Sequence, residues 1–222
     1  MLLAIDTSTA QIGLALYDGT SVPGEFTCTS GLHHTRELAP AISRLLIGCG
    51  KKIGDIHALG VAIGPGSFTS LRVGLAFVKG LALARQLPLI GVPTLDIVAA
   101  SVPPSERRLA AVLQAGRGRL VVGWYKAVEG GWKAVGPAQV STAEELVVNI
   151  RKPVLICGEL TAVDRHCLRR KFKNVILASP AQCVRRPGIL AEIAWVRWQA
   201  GKVDTVAALA PIYMHVAGGA PA

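Results

Sequence analysis

An α/β protein of two similarly built lobes is predicted by three observations. Short apolar strands alternate with helical patterns, one order of elements occurs twice, and a proline- and serine-rich stretch separates the two runs. Leu2 to Ile5 and Ile12 to Tyr17 are apolar runs divided by Asp6-Thr-Ser-Thr9, and Asp18-Gly19 supplies a turn before a third extended stretch. From His33 to Leu46, apolar Leu38, Ala41, Ile42, Leu45 and Leu46 recur at helical spacing until Gly48 and Gly50 stop them. Ala58 to Ile63 reads as a buried strand running into Gly64-Pro-Gly-Ser-Phe-Thr69, followed by a helix from Ser70 to about Arg85 and a strand from Leu87 to Val92.

The second half repeats this order. Leu109 to Leu113, Leu120 to Ala127 and Trp132 to Val140 are predicted strands with a Gly130-Gly131 turn, and Ser141-Thr-Ala-Glu-Glu145 has the composition of a helix cap. Pro153 to Cys157 reads as a strand, Ala162 to Lys171 as a helix, Val175 to Leu177 as a strand and Pro187 to Ala200 as a last helix. Three strands, helix, strand, helix, strand is one lobe of a ribonuclease-H-like fold, and two such lobes of mixed sheets flanked by helices make the actin/Hsp70-like architecture. A helix beginning at Thr94 ends in Ser101-Val-Pro-Pro-Ser105, so the boundary is expected there. Residues 1–103 form the first lobe, and residues 104–222 form a second, smaller lobe that includes the C-terminal helix.

Composition limits the function classes. Of the 222 residues 51% are hydrophobic and only 17% charged, more apolar material than a monomer of this size normally buries, which points to a protein interface. Lys79 interrupts the longest apolar candidate, Leu71 to Ala84, so no membrane span is expected. Met1 to Ile5 is too short and lacks the basic lead of a signal peptide, which places the protein in the cytoplasm. The five cysteines, Cys28, Cys49, Cys157, Cys167 and Cys183, contain no Cys-x-x-Cys pair and read as reduced, mostly buried thiols. The net charge of +10 arises almost wholly after residue 100. Its densest run, Arg165, Arg169, Arg170, Lys171 and Lys173, has only Phe172 interleaved, which is weak for a single-strand RNA binder and reads as a solvated helix end.

The candidates for chemistry are two loops. Gly64-Pro-Gly-Ser-Phe-Thr69 lies between a strand and a helix, where backbone N–H groups can face an anion, but no lysine follows until Lys79, so it is not a Walker A loop. Asp6-Thr-Ser-Thr9 sits where actin-like enzymes hold phosphates. Asp6, Thr7, Ser8, Gly64, Gly66, Ser67 and Thr69 are thus candidate nucleotide or anion contacts, against a structural turn capped by Asp6. The histidines offer no metal spacing: His33 and His34 are adjacent, and His57, His166 and His215 are isolated. No His-Glu-x-x-His or Gly-x-Ser-x-Gly is present.

Ala4-Ile-Asp-Thr-Ser-Thr9, His33-His-Thr-Arg-Glu-Leu-Ala-Pro40, Gly64-Pro-Gly-Ser-Phe-Thr-Ser-Leu-Arg-Val-Gly74, Gly91-Val-Pro-Thr-Leu95 and Pro211-Ile-Tyr213 together resemble the TsaB family. The resemblance is dense over residues 1–100 and thin afterwards. It implies a paralogue of TsaD, the subunit that transfers a threonylcarbamoyl group to the adenosine beside the tRNA anticodon, with TsaB as its non-catalytic scaffold. TsaD carries a His-x-x-x-His metal pair at a position where this chain has Thr94 and Val98, and neither replaces an imidazole. The resemblance further implies a TsaD-like partner, a TsaE-like ATPase, self-pairing as a homodimer when alone, and indirect contact with tRNA. ATP and metal are expected in the partner subunits, with no cofactor bound tightly by this chain.

The helix from Ser70 to Arg85 is apolar nearly all round, so one face needs a second cover. His33, Leu38, Ile42, Leu45, Leu71, Leu75, Val78 and Lys79 are the candidate partner-binding residues, with intramolecular core as the competing reading. One departure concerns the second lobe, which reads Gln114-Ala-Gly-Arg-Gly-Arg119 where the family has Asp-Ala-Arg-x-Gly-Glu; at the tail, Met214 and His215 replace Leu and Arg. The alternative function is a stand-alone actin-like enzyme or kinase that binds ATP through Asp6 to Thr9 and Gly64 to Thr69.

Overall fold

The computed structural model describes residues 1–30, 33–171 and 173–214; Phe172 and His215 lie outside the described residues. It divides into two compact units, one formed by Met1–Ile97 with Arg185–Ile212 and the other by Val98–Val184.

The first unit contains β1 (Leu2–Asp6), β2 (Gln11–Tyr17), β3 (Gly24–Thr29), α1 (His34–Gly48), β4 (Ala58–Ala62), α2 (Phe68–Arg85), β5 (Leu89–Val92) and the start of α3 (Thr94–Ala100). Its sheet has the order β3-β2-β1-β4-β5, antiparallel among the first three and parallel from β1 through β4 to β5. Both faces of β1 are buried, and the period of two along a strand sends alternate side chains into two cores. Leu3 and Ile5 join Leu38, Ile42, Leu75 and Val78 of α1 and α2, whereas Leu2 and Ala4 face Leu190, Ala191 and Ala194.

Those last three residues belong to α6 (Pro187–Gln199), and here the structure corrects the sequence reading. The C-terminal helix does not join the second lobe; it packs on β1, β2, β4 and β5. The reason is complementarity of small residues. Ala4, Ala15, Ala58 and Gly60 leave a shallow surface on this face of the sheet, and Ala191 and Ala194 let the helix backbone approach it. The boundary accordingly falls at Ile97/Val98, inside α3, rather than after residue 103.

The second unit contains β6 (Arg108–Gln114), β7 (Arg119–Val128), β8 (Gly131–Ala134), β9 (Gln139–Thr142), α4 (Ala143–Asn149), β10 (Val154–Gly158), α5 (Ala162–Arg169) and β11 (Val175–Leu177). Its sheet order, β11-β10-β6-β7-β8, reproduces that of the first unit, with β9 as a further partner of β7. The single strand expected over Trp132–Val140 is two. β8 pairs with Tyr125–Val128 and β9 with Arg119–Val122. The break falls at Gly136, whose φ is 84°, and Pro137, which has no N–H for the ladder. The predicted helix cap is present: Thr142 accepts the Glu145 N–H, and the Glu145 carboxylate accepts the Thr142 N–H.

A Cβ added at Gly60 would lie 2.8 Å from the Ala194 Cβ, so there is no spare volume under α6. Ala194→Leu should therefore lower stability by about 1–3 kcal/mol, read as a shift of the urea midpoint without a change of slope.

Candidate functional site

The two loops that the sequence offers for phosphate are closed on each other. Asp6 is 2% exposed, Thr7 1% and Ser8 0%. One Asp6 carboxylate oxygen accepts the Ser8 N–H at 2.9 Å and the Ser8 hydroxyl at 2.6 Å, an Asx turn at the end of β1. The other accepts Nε of Arg185 at 2.6 Å, and Arg185 Nη2 donates to Thr9 at 2.9 Å. Arg185 is itself 2% exposed, so the loop holds a desolvated ion pair supplied by the segment that leads into α6. No local pattern marks Arg185, since its partner is 179 positions away.

The glycine loop meets the same turn from the other side. Ser67 N–H donates to the Ser8 carbonyl at 2.7 Å, Gly64 N–H donates to the Thr94 hydroxyl at 3.1 Å, and Thr7 donates to the Ser70 carbonyl at 2.8 Å. Side chains at Gly66 or Gly74 would collide with Ser8 and Thr7, so these two glycines are required by close approach of the chain to itself. The N–H groups of Gly64 and Ser67, expected to face an anion, are spent inside the lobe. Thr69 points elsewhere, being exposed on α2.

Thr94 and Val98 stand where the family resemblance puts the TsaD metal pair. The Thr94 hydroxyl is fully buried and holds Gly64, and Val98 is a buried hydrocarbon, so these residues do not fit a metal. Among the described residues no cluster of three histidine, cysteine or acidic side chains is arranged to hold one.

The candidate partner residues separate into two groups. Ile42, Leu71, Leu75 and Val78 are at most 4% exposed and belong to the lobe's own interior, which corrects their assignment to a docking face, whereas Leu38, 2% exposed, belongs to that interior and also meets the groove described below. Leu45 is half-buried against that core, Lys79 is half-buried, and His33 is exposed at the start of α1. The outward face is carried by residues that were passed over. Ser70 and Gly74 fix the inner side of α2 by facing Thr7, which turns Phe68, Thr69, Arg72, Val73, Ala76 and Phe77 outward at helical spacing. With Thr35, Leu38 and Ala39 of α1 they line an apolar groove of about 530 Å³. Phe68 is 51% exposed and carries the Arg72 guanidinium 3.6 Å above its ring. Leu83 extends the apolar face at 68% exposure. The signal in the sequence was the phase set by Ser70 and Gly74, two small residues four apart on one side of an otherwise apolar helix.

In the second unit, the divergent Gln114–Arg119 segment is a closed hairpin. Gly116, Arg117 and Gly118 all have positive φ, and Arg119 N–H donates to the Gly116 carbonyl at 3.0 Å. Gln114 Nε2 donates to the Asp164 carboxylate at 2.8 Å and to the Glu159 carbonyl at 3.2 Å. Of the basic run, Arg165 is committed internally, donating to the Ala178 carbonyl at 3.2 Å, while Arg169, Arg170 and Lys173 are exposed.

The family model described as "TsaD: tRNA N6-adenosine threonylcarbamoyltransferase" matches residues 29–190, well over half of the chain. The Bacillus subtilis tRNA threonylcarbamoyladenosine biosynthesis protein TsaB is 29% identical over 97% of this chain and 94% of its own length. The chain belongs to the TsaD family, and the relative just named, which it matches over nearly its whole length, is a TsaB. Escherichia coli TsaB is 35% identical over 59% of the chain and 57% of its own length. The fold is shared with YeaZ from Pseudomonas aeruginosa, with a TM-score of 0.79 at 24% identity over 96% of this chain and 99% of that one. A ROK hexokinase from Thermus thermophilus superimposes with a TM-score of 0.50 at 11% identity, over 89% of this chain and 99% of its own, the actin-like fold without sequence kinship. No described helix is long and apolar enough to cross a membrane.

Removing one partner of a buried ion pair leaves the other charge uncompensated. Arg185→Met should cost about 3–5 kcal/mol in chemical denaturation, and adding Asp6→Leu should recover part of it. Arg186→Met should cost less than about 1 kcal/mol, because the Arg186–Glu25 pair is solvent-exposed on its arginine side. In the second unit, burial pushes the Asp164 carboxyl up, but the hydrogen bonds from Thr161 and Gln114 together hold it below the usual carboxylate range. A depressed folded-state value adds stability that is complete above the unfolded value near pH 4 and is lost as pH falls through the folded one. The stability gap between the wild-type chain and Asp164→Asn should accordingly be full at pH 7 and close below about pH 4.

Proposed function

We propose that the chain serves in the synthesis of tRNA threonylcarbamoyladenosine as a non-catalytic scaffold that docks and activates a TsaD-like transferase through the exposed face of α1 and α2. The observation that carries this reading is the apolar groove between those helices, on a lobe whose phosphate loops are already satisfied by their own residues. Contiguous apolar surface of this kind on a soluble lobe marks a protein contact. A TsaD-family model matches this chain, so the transferase is built on the same kind of lobe and offers helices of the same kind. Two pairs of helices packed face to face form a four-helix contact, with Phe68 and Phe77 as anchors and Arg72 at the rim.

In this reading ATP and metal act in the partner subunits, one of them a TsaE-like ATPase, and the assembly works in the cytoplasm, with tRNA reached through the transferase. The replacement of the metal pair by Thr94 and Val98 supports the non-catalytic role, and the Arg185 guanidinium on Asp6 weighs against the alternative of a stand-alone kinase. When the transferase is missing, the same groove accepts a second copy of this chain.

The test is co-purification with the same organism's TsaD-like protein. Ala76→Glu, on the exposed face, should weaken pairing at least tenfold with no loss of stability, while Leu75→Ala should cost about 2–5 kcal/mol as a core truncation. Unaltered pairing in the Ala76→Glu protein would sink the proposed face. Titration of the purified chain with Mg-ATP should give only weak binding; tight binding with hydrolysis would replace the scaffold by an enzyme.

A further inference from the structure

Two of the five cysteines meet in the second unit, outside the groove proposed for docking. Cys157 is buried near the end of β10, and Cys183 is half-exposed on a single helical turn that follows β11. Their sulfur atoms are 4.0 Å apart, with the Cys157 thiol donating to the Cys183 sulfur. Arg165 of α5 donates to the same sulfur from Nη2 at 3.3 Å. The segment that carries Cys183 is outside any long helix or strand, and its neighbours Ala181, Gln182 and Val184 are exposed.

This surrounding selects one sulfur as nucleophile and the other as its reserve. The Cys157 thiol, the Gly158 N–H and the Arg165 guanidinium favour the charged form of Cys183 over the burial that opposes it, so its proton is held below the ordinary thiol range. Cys157 moves the opposite way, raised first by its hydrogen bond to Cys183 and then by burial. Cys28 provides an internal contrast: it is half-buried too, and burial raises it.

We propose that Cys183 and Cys157 form a peroxide-sensitive dithiol, with Cys183 the attacking sulfur, Cys157 the resolving one and Arg165 the positioning residue. The Cys183 thiolate attacks hydrogen peroxide, forming an S–O bond and breaking the O–O bond; the departing hydroxide takes a proton and leaves as water. The Cys157 sulfur then attacks the sulfenic acid. An S–S bond forms, the S–O bond breaks, and the hydroxide released combines with the Cys157 proton as a second water. Two thiols and one peroxide thus give one disulfide and two waters. Disulfide formation closes this 4.0 Å gap to a bond of about 2.05 Å.

The test uses the full reduced chain and peptide mapping after treatment with hydrogen peroxide. A Cys157–Cys183 disulfide, reversed by dithiothreitol, is expected, and Cys157→Ala should leave Cys183 as a sulfenic acid that a 1,3-diketone traps. On the unmodified protein at pH 6, iodoacetamide should react with Cys183 roughly tenfold faster than with Cys28, because the gain in thiolate outweighs the lower intrinsic nucleophilicity. Arg165→Gln should remove part of that advantage. If Cys183 in the wild-type chain stays unmodified or proceeds to sulfinic acid without joining Cys157, the proposal fails. Equal alkylation of Cys183 and Cys28 at pH 6 overturns it as well.

Discussion

The contact between Asp6 and Arg185 ties the first strand to a residue 179 positions later, and much of the first lobe depends on it. A carboxylate and a guanidinium, each about 2% exposed, are tolerable only as a pair with their remaining polar atoms satisfied. Ser8 and Thr9 complete that satisfaction, so the turn after β1 has one arrangement. Since Arg185 stands two residues before the first residue of α6, the same pair anchors the chain where it enters that helix. Helix α6 covers one face with alanines while α1 and α2 cover the other with leucine, isoleucine and valine, an asymmetry written into the alternation of β1 and β2.

From that arrangement follows the division of labour on the first lobe. Closing the phosphate loops consumes the N–H groups of Gly64 and Ser67 and demands glycine at 66 and 74. Gly74 and Ser70 in turn pin the rotation of α2 about its axis, and the remaining apolar residues of that helix have nowhere inside to go. The apolar groove and the closed loops are thus two consequences of one helix orientation. The first lobe thus combines closed loops with an exposed apolar groove.

The second unit repeats the sheet order with different local devices. Side-chain capping boxes at Thr142 and Thr161 start its short helices, and a hairpin of three residues with positive φ links β6 to β7. Its polar side chains work on one another: Gln114 on Asp164, Arg165 on Ala178 and Cys183. Part of the basic charge counted along the sequence is therefore structural.

The sequence by itself determined the order of elements, because strand and helix periodicities, the Gly64–Thr69 turn and the cap at Thr142 are local patterns readable within a few residues. It also pointed to the family, through motifs crowded into the first hundred residues. What it did not contain in local form was the placement of α6, whose hydrophobicity is nearly even around its axis and so names no partner sheet. The Asp6–Arg185 pair was likewise hidden, the outward side of α2 was marked only by Ser70 and Gly74, and Leu71, Leu75 and Val78 read as docking residues because the rest of that helix is apolar nearly all round. Tertiary structure alone decided these points, since each depends on contacts between residues tens to nearly two hundred positions apart, where geometry rather than spacing selects the partner.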